Sequence, residues 1–245
     1  ARQTASATGD RVVVLSDRTL HRRQEMLQRR HAEALAAANQ EVERQAREDA
    51  LTALPNRRAF EEALAQRGTA REAARVPGVA AIGEADEVVL VRIDLDDFNY
   101  VNDVFGHAMG DAALRHVADI LRDETRAGDI AARIGGDEFV LLLAPGCDIA
   151  AARTLIERLR ARLAEPMEHE GKVCRLSASC GIAASSSGAK DADELLCFAD
   201  TALYEAKVRG RARAELFTPA IHARLVRNRR LADELREGLE NGEFE

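Results

Sequence analysis

Apolar residues recur along this chain with two different periods, and the points where one period gives way to the other mark its elements. Arg11-Val12-Val13-Val14-Leu15 is a short apolar run that passes into Ser16-Asp17-Arg18-Thr19, the pattern of a strand feeding a charged helix. From Leu20 to Glu48 there is no Gly or Pro, and Ala, Glu, Arg and Gln dominate, which predicts one long helix. Its apolar seam is thin: Leu20, Leu27, Leu35, Ala38, Val42 and Ala46, with an irregular step between its halves. A seam this narrow suits a parallel coiled coil of shiftable register, the alternative being a solvated single helix. Pro55-Asn56 forms a turn, after which a second helix is expected from about Arg58 to Gln66 and an Ala- and Gly-rich loop from Arg67 to Asp86.

Val88-Val89-Leu90-Val91-Arg92-Ile93-Asp94 is β-branched and almost continuously apolar, as expected of a strand buried on both faces. A helix is predicted from about Ala112 to Glu124, with Leu114, Val117, Ala118 and Leu121 on one face. Ile130 to Ile134 and Phe139 to Ala144 read as the arms of a hairpin around Gly135-Gly136. A helix capped by Asp148 should run to Leu163. Val173 to Ala184 reads as one strand and Ser185 to Gly188 as a loop. Ala192 to Arg209 reads as a helix closed by Gly210, and Ala214 to Phe217 as a last strand. After Pro219 the composition shifts to a charged amphipathic helix carrying Leu225, Leu231, Leu235 and Leu239.

The 46% apolar content of these 245 residues is enough to build a core, in one large domain or two small ones. The formal charge of −7 and pI near 5.5 argue against a general nucleic-acid or anionic-membrane binder, and membrane contact is not indicated. No apolar run has the length of a membrane span and no signal-peptide order opens the chain, so a cytoplasmic location is expected. Cys147, Cys174, Cys180 and Cys197 lack metal-binding spacing and read as reduced thiols.

Candidate chemistry gathers at two carboxylate-bearing points. Asp94 ends the buried strand at its carboxyl edge, the edge where ligands sit in α/β folds, and Leu95-Asp96-Asp97-Phe98-Asn99 turns there with main-chain amides available to phosphate. At the hairpin, glycine supplies positive φ and leaves room for a bulky anion, beside the adjacent acids Asp137 and Glu138. Oxygen-only ligands beside a phosphate site suit Mg²⁺. Taken alone, however, Gly-Gly-Asp-Glu also fits a surface hairpin with a solvated acidic tip. Lys207 and Arg211, one turn apart at a helix end, can neutralise nucleotide phosphates or merely complement the helix dipole. Asn102 and Asp111 offer an amide and a carboxylate suited to the polar edge of guanine, or a turn residue and an N-cap.

Four stretches resemble the GGDEF-domain diguanylate cyclase family. The first is the D-x-L-T-x-L-P-N-R entry at Asp49 to Arg57. The second is D-x-D-x-F-x-x-V-N-D-x-x-G-H-x-x-G-D from Asp94 to Asp111. The third is the hairpin Gly135-Gly136-Asp137-Glu138-Phe139, and the fourth is the closing Ala199 to Arg211 segment. The resemblance covers residues 49–218 and implies an α/β (α+β) fold, with a mixed central sheet wrapped by helices in the βαββαβ palm of nucleotidyl cyclases, behind a long signalling helix at 20–48. Residues 1–19 resemble the tail of a PAS sensor domain, and 219–245 the lead-in to an EAL phosphodiesterase domain.

By this resemblance Asp94, Glu138 and the Leu95 carbonyl bind Mg²⁺ or Mn²⁺, Asn102 and Asp111 read guanine, and Asp137 lies nearest the reacting 3′-hydroxyl. Gly135 and Gly136 give room for the nucleotide, while Phe98, Asn99, Lys207 and Arg211 meet its phosphates. Each domain then holds one GTP, and a homodimer makes cyclic di-GMP and pyrophosphate. Arg126-Ala127-Gly128-Asp129 reproduces the R-x-x-D inhibitory site of many family members, with a second arginine due from the helix carrying Arg158 and Arg160. One position departs from the pattern: Asn99 stands where the family usually has Lys, removing one cation from the triphosphate. At about 1 kcal/mol for an exposed charged contact, this weakens GTP roughly tenfold. It leaves an alternative, a weak or inactive GTP-binding module that controls an adjoining phosphodiesterase.

Overall fold

The computed structural model describes residues 2–5, 11–14, 18–74 and 87–240. Residues 1, 6–10 and 15–17 of the sensor-like tail, residues 75–86 of the expected loop and the last five residues of the EAL-like lead-in lie outside them. The chain divides into two units, residues 1–46 and 47–245. In the first, β1 (Arg2–Ala5) and β2 (Arg11–Val14) pair antiparallel, and helix α1 (Arg18–Arg47) begins. Leu27, Leu35 and Val42 on α1 are exposed, at 55%, 64% and 65%.

The second unit is built on the buried run read from the sequence. Strand β3 (Val89–Leu95) lies at the centre of a five-stranded sheet of order β4-β5-β3-β8-β9, formed with β4 (Ile130–Gly135), β5 (Glu138–Leu142), β8 (Ala178–Ala184) and β9 (Ala214–Leu216). All pairs are antiparallel except β8 with β9, so the sheet is mixed. Alternate residues of β3 serve opposite layers. Val89, Val91, Ile93 and Leu95 join the core under α3 (Phe98–Phe105), α4 (His107–Glu124) and α5 (Ile149–Leu163). Leu90 joins the core under α2 (Arg57–Ala74) and α6 (Ala192–Val208). Helices on both faces explain why β3 is apolar at nearly every position. Asp148 caps α5 by accepting the Ala151 N–H at 2.7 Å, as its place in the sequence predicts. A final helix, α7 (Pro219–Glu240), follows β9.

Local assignments differ at three places. Helix α2 runs on to Ala74, eight residues past the expected end. The stretch after Asp94 contains a whole helix, α3, and α4 begins at His107, so Asp111 lies inside a helix and is not its N-cap. Apolar Tyr100 and Val104 on the exposed side of α3, beside polar Asn99 and Asp103, and Gly106 between the helices, blur the helical period. The expected strand from Val173 to Ala184 is split. Its first part, β7 (Lys172–Cys174), pairs with β6 (Met167–His169) across a Glu170-Gly171 turn, and only Ala178–Ala184 enters the main sheet. Cys147, Cys174 and Cys180 are buried and Cys197 is exposed, all four as free thiols; burial pushes the Cys180 thiol up to about 12.

Candidate functional site

The carboxyl end of β3 brings much of the predicted chemistry together. A cleft of about 640 Å³ is lined by Asp94, Leu95, Phe98 and Asn99 from the end of β3 and the turn into α3, by Asp137 from the hairpin, and by Lys207 and Arg211 from the end of α6. Asp94 stands directly opposite Glu138 in the β3–β5 register, and the Leu95 N–H donates to the Asp137 carbonyl at 3.3 Å. The two acidic segments, more than forty positions apart in the chain, are thus joined by sheet pairing.

Asp94 is 8% exposed and its Oδ2 lies 2.7 Å from Lys207 Nζ. Burial raises its pKa above the usual carboxylate value, Lys207 opposes this, and the nearby charges of Asp137 and Asp96 add to the rise. Asp94, Glu138 and the Leu95 carbonyl are all hard oxygen donors, so the residues present fit a small divalent cation. Glu138 also has a partner that sequence reasoning missed: Arg92, whose Nη2 is 3.3 Å from Glu138 Oε2 and whose Nε is 2.7 Å from Asp200 Oδ1. The signal was present, because a charge inside a strand buried on both faces must be paired.

Gly135 and Gly136 have φ of 155° and 49° and sit at a register shift between Arg133 and Gly135, so the hairpin turn has the backbone that glycine was expected to supply. Arg133 holds the turn, donating to the Gly136 carbonyl from Nε at 2.9 Å and from Nη2 at 2.7 Å, while its Nη1 reaches Asp49 Oδ1 at 2.9 Å. Asp49 also accepts from the Thr52 N–H and hydroxyl at 2.9 and 2.7 Å. Burial alone would raise its pKa, but these bonds outweigh it and hold the carboxyl below its usual value. The D-x-L-T entry is therefore the brace of the hairpin.

Asn102 on α3 and Asp111 on α4 lie outside the cleft lining, joined by the close contact of their helices. A Cβ on Gly110 would fall 2.0 Å from Asn102 Oδ1, so glycine here reserves the space of the Asn102 amide. If Asn102 reads guanine, as the resemblance implies, Gly110→Ala should shift that amide, because the nearest obstructing atom is a side-chain end, and raise the KM for GTP by about tenfold while costing no more than about 1 kcal/mol of stability. Steady-state kinetics beside thermal melts check this; an unchanged KM would separate Asn102 from guanine.

The R-x-x-D turn is formed, with Asp129 at its centre. Its side chain is 4% exposed, Oδ2 accepting the Arg126 N–H at 3.0 Å and Oδ1 the Ala144 N–H at 2.6 Å. The Arg126 side chain is 59% exposed, its Nε 3.8 Å from Asp129. Arg158 instead pairs with Glu124 at 2.9 Å, and Arg160 pairs with Glu157 and donates to the Ala212 carbonyl.

A mixed sheet with helices on both faces and carboxylates opposed at one strand edge defines a nucleotidyl cyclase-like palm domain. The match to a family described as "Diguanylate cyclase, GGDEF domain" spans residues 46–213, and the chain belongs to that family. It is 37% identical over 209 residues to the bifunctional diguanylate cyclase/cyclic di-GMP phosphodiesterase MucR of Pseudomonas aeruginosa, covering 85% of this chain and 29% of that protein. To the diguanylate cyclase DgcP of the same organism it is 39% identical over 169 residues, covering 69% of this chain and 23% of that one. The chain thus spans less than a third of these curated relatives. The solved coiled coil and GGDEF domain of DgcB from Caulobacter crescentus, in complex with c-di-GMP, aligns with a TM-score of 0.71 at 26% identity, over 81% of this chain and 100% of that one. Among the described residues no helix is long and apolar enough to cross a membrane.

Proposed function

We propose that residues 49–218 condense two GTP molecules into cyclic di-GMP. The observation that carries this reading is the register of Asp94 with Glu138 beside a cleft edged by Lys207 and Arg211, in a chain that belongs to the family. Lys207, Arg211 and the amides of the turn into α3 hold the triphosphate, Asn102 and Asp111 select guanine, and Asp137 faces the 3′-hydroxyl. Each 3′-oxygen attacks the α-phosphorus of the other nucleotide and expels pyrophosphate. A Mg²⁺ or Mn²⁺ ion held by Asp94, Glu138 and the Leu95 carbonyl would supply stabilisation of the developing phosphate charge. Incubation with GTP and Mg²⁺ followed by chromatography tests the reading. Cyclic di-GMP is expected, and stoichiometric GTP binding without product would instead favour the regulatory module that Asn99 suggests.

The reaction needs two domains face to face, and the exposed seam Leu27, Leu35 and Val42 of α1 supports a parallel dimer as the device that pairs them. Deleting residues 1–46 should lower specific activity at dilute protein and restore part of it at high concentration. Turnover per chain independent of concentration in the truncated protein would remove the helix from this role.

Product feedback through the R-x-x-D turn is the second regulatory part of the reading. Its support is the exposed guanidinium of Arg126, which can donate two parallel bonds to the O6 and N7 edge of guanine. Asp129 and Arg158 complete the site by exchanging their present partners for the ligand. Cyclic di-GMP should bind the Glu138→Gln protein in calorimetry, and Arg126→Ala should abolish that binding with GTP affinity nearly unchanged. Equal affinity in the parent and Arg126→Ala would leave Arg126 and Asp129 as a turn only.

A further inference from the structure

The segment that carries Arg211 into the cleft has an uncommon backbone. Gly210, Arg211 and Ala212 all have positive φ, at 111°, 59° and 44°, so two consecutive side-chain-bearing residues occupy the left-handed region. Such a conformation persists only where the surroundings hold it. The Ala212 backbone is held at both its N–H and its carbonyl. Its N–H donates to Asp96 Oδ2 at 3.0 Å, and its carbonyl accepts from the Arg160 guanidinium. Asp96 is itself anchored, accepting from the Ser177 hydroxyl at 2.9 Å and the Ser179 hydroxyl at 2.6 Å, while its own N–H donates to the Ser177 carbonyl at 2.9 Å. Of roughly four acceptor positions on a carboxylate, three are filled by these donors.

We propose that Asp96 is a positioning residue for substrate: it holds the strained Gly210–Ala212 segment to the start of β8 and so fixes Arg211 where the outer phosphates of the nucleotide lie. Asp96 is one of four acids that line the cleft and, among the described residues, the only one of the four whose oxygens receive three donors from segments remote in sequence. Its task is therefore different from that of Asp94, two residues earlier. This inference rests on the reading of Arg211 as a phosphate contact.

The experiment measures GTP kinetics and backbone amide exchange in Asp96→Ala, Asp96→Asn and the same changes combined with Arg211→Ala. Asp96→Ala should raise the KM for GTP about tenfold, with kcat within about twofold of the parent, and should speed exchange at Ala212. Asp96→Asn should recover most of the loss, because its side-chain carbonyl can still accept from Ala212 while its amide donates to a serine hydroxyl. In the Arg211→Ala background the change at Asp96 should add little to KM. A full tenfold effect in that background, or exchange at Ala212 unchanged by Asp96→Ala, would overturn the proposal. Ser179→Ala removes one anchor and leaves the Ala212 bond in place, so equal acceleration of Ala212 exchange there would assign the effect to general damage at the sheet edge and overturn it too. A parent protein that takes no GTP would defeat the cyclase reading, and the exchange measurement would then decide the clamp by itself.

Discussion

Glu138→Gln should reduce cyclic di-GMP formation at least about a hundredfold, the scale expected when an electrostatic contributor to phosphoryl transfer is removed, while the protein melts close to the parent. The substitution deletes one charge and keeps the shape. The Glu138 side chain is 39% exposed, and its bond to Arg92 can be made by the Gln carbonyl, so little packing is disturbed. Asp94→Asn should reduce turnover on the same scale, yet differ in its effect on stability. The folded-state pKa of Asp94 is raised, chiefly by burial, so a proton on this group stabilises the fold below the unfolded value of 3.8, and that stabilisation is lost as pH rises through the folded value. At neutral pH the ionised form is a net cost to the fold, Lys207 notwithstanding. Asp94→Asn should therefore melt at or above the parent temperature near pH 7 in the absence of divalent ions, and should lose the acid-side gain that this group contributes. Product chromatography and calorimetric melts over a pH series measure both effects. Most of the parent turnover in either variant would rule out the proposed ion site, and a marked drop in the melting temperature of Asp94→Asn would contradict the electrostatic account.

Gly181→Ala should cost more than about 3 kcal/mol, at the upper end of what overpacking does in a protein core. A Cβ at this position of β8 would stand 2.2 Å from the Ala199 carbonyl oxygen, 2.3 Å from the Leu203 nitrogen and 2.8 Å from the Leu203 Cα. These are backbone atoms of α6, so no rotamer change relieves the contact and the whole helix must lift from the sheet. Because the last turn of that helix carries Lys207, GTP affinity should fall with stability. The contrast is Gly110→Ala, where the obstruction is one side-chain end and stability is largely kept. Urea titrations of the two variants against the parent give the comparison. A loss under about 1 kcal/mol in Gly181→Ala would mean that α6 does not lie directly on the strand.

How far the sequence reached depended on whether a signal was local. The apolar run at Val89 to Leu95, the glycine hairpin, the Asp148 cap and the Gly210 end of α6 were all legible, since each is set by the burial or backbone needs of one element. The family motifs carried Asp94, Asp137, Lys207 and Arg211 to one cleft before any geometry was known. Helix α3 and the β6–β7 hairpin were not legible, because α3 is only eight residues long and carries apolar Tyr100 and Val104 on its exposed side as well as Phe98 and Val101 on its buried one, and the β6–β7 arms are only three residues each, too short for a period to emerge.

What tertiary structure alone decided is the choice of partner. Nothing local says that Asp96 holds the amide of Ala212, more than a hundred positions away, that Arg92 sits between Glu138 and Asp200, or that Arg133 reaches back to Asp49. The same holds for Gly181, whose missing side chain matters only because α6 crosses it. The composition and pattern of a segment determine whether it is buried and in which conformation. Which charge meets which, and where two backbones touch, follows from strand order and helix packing, and these depend on all the segments together.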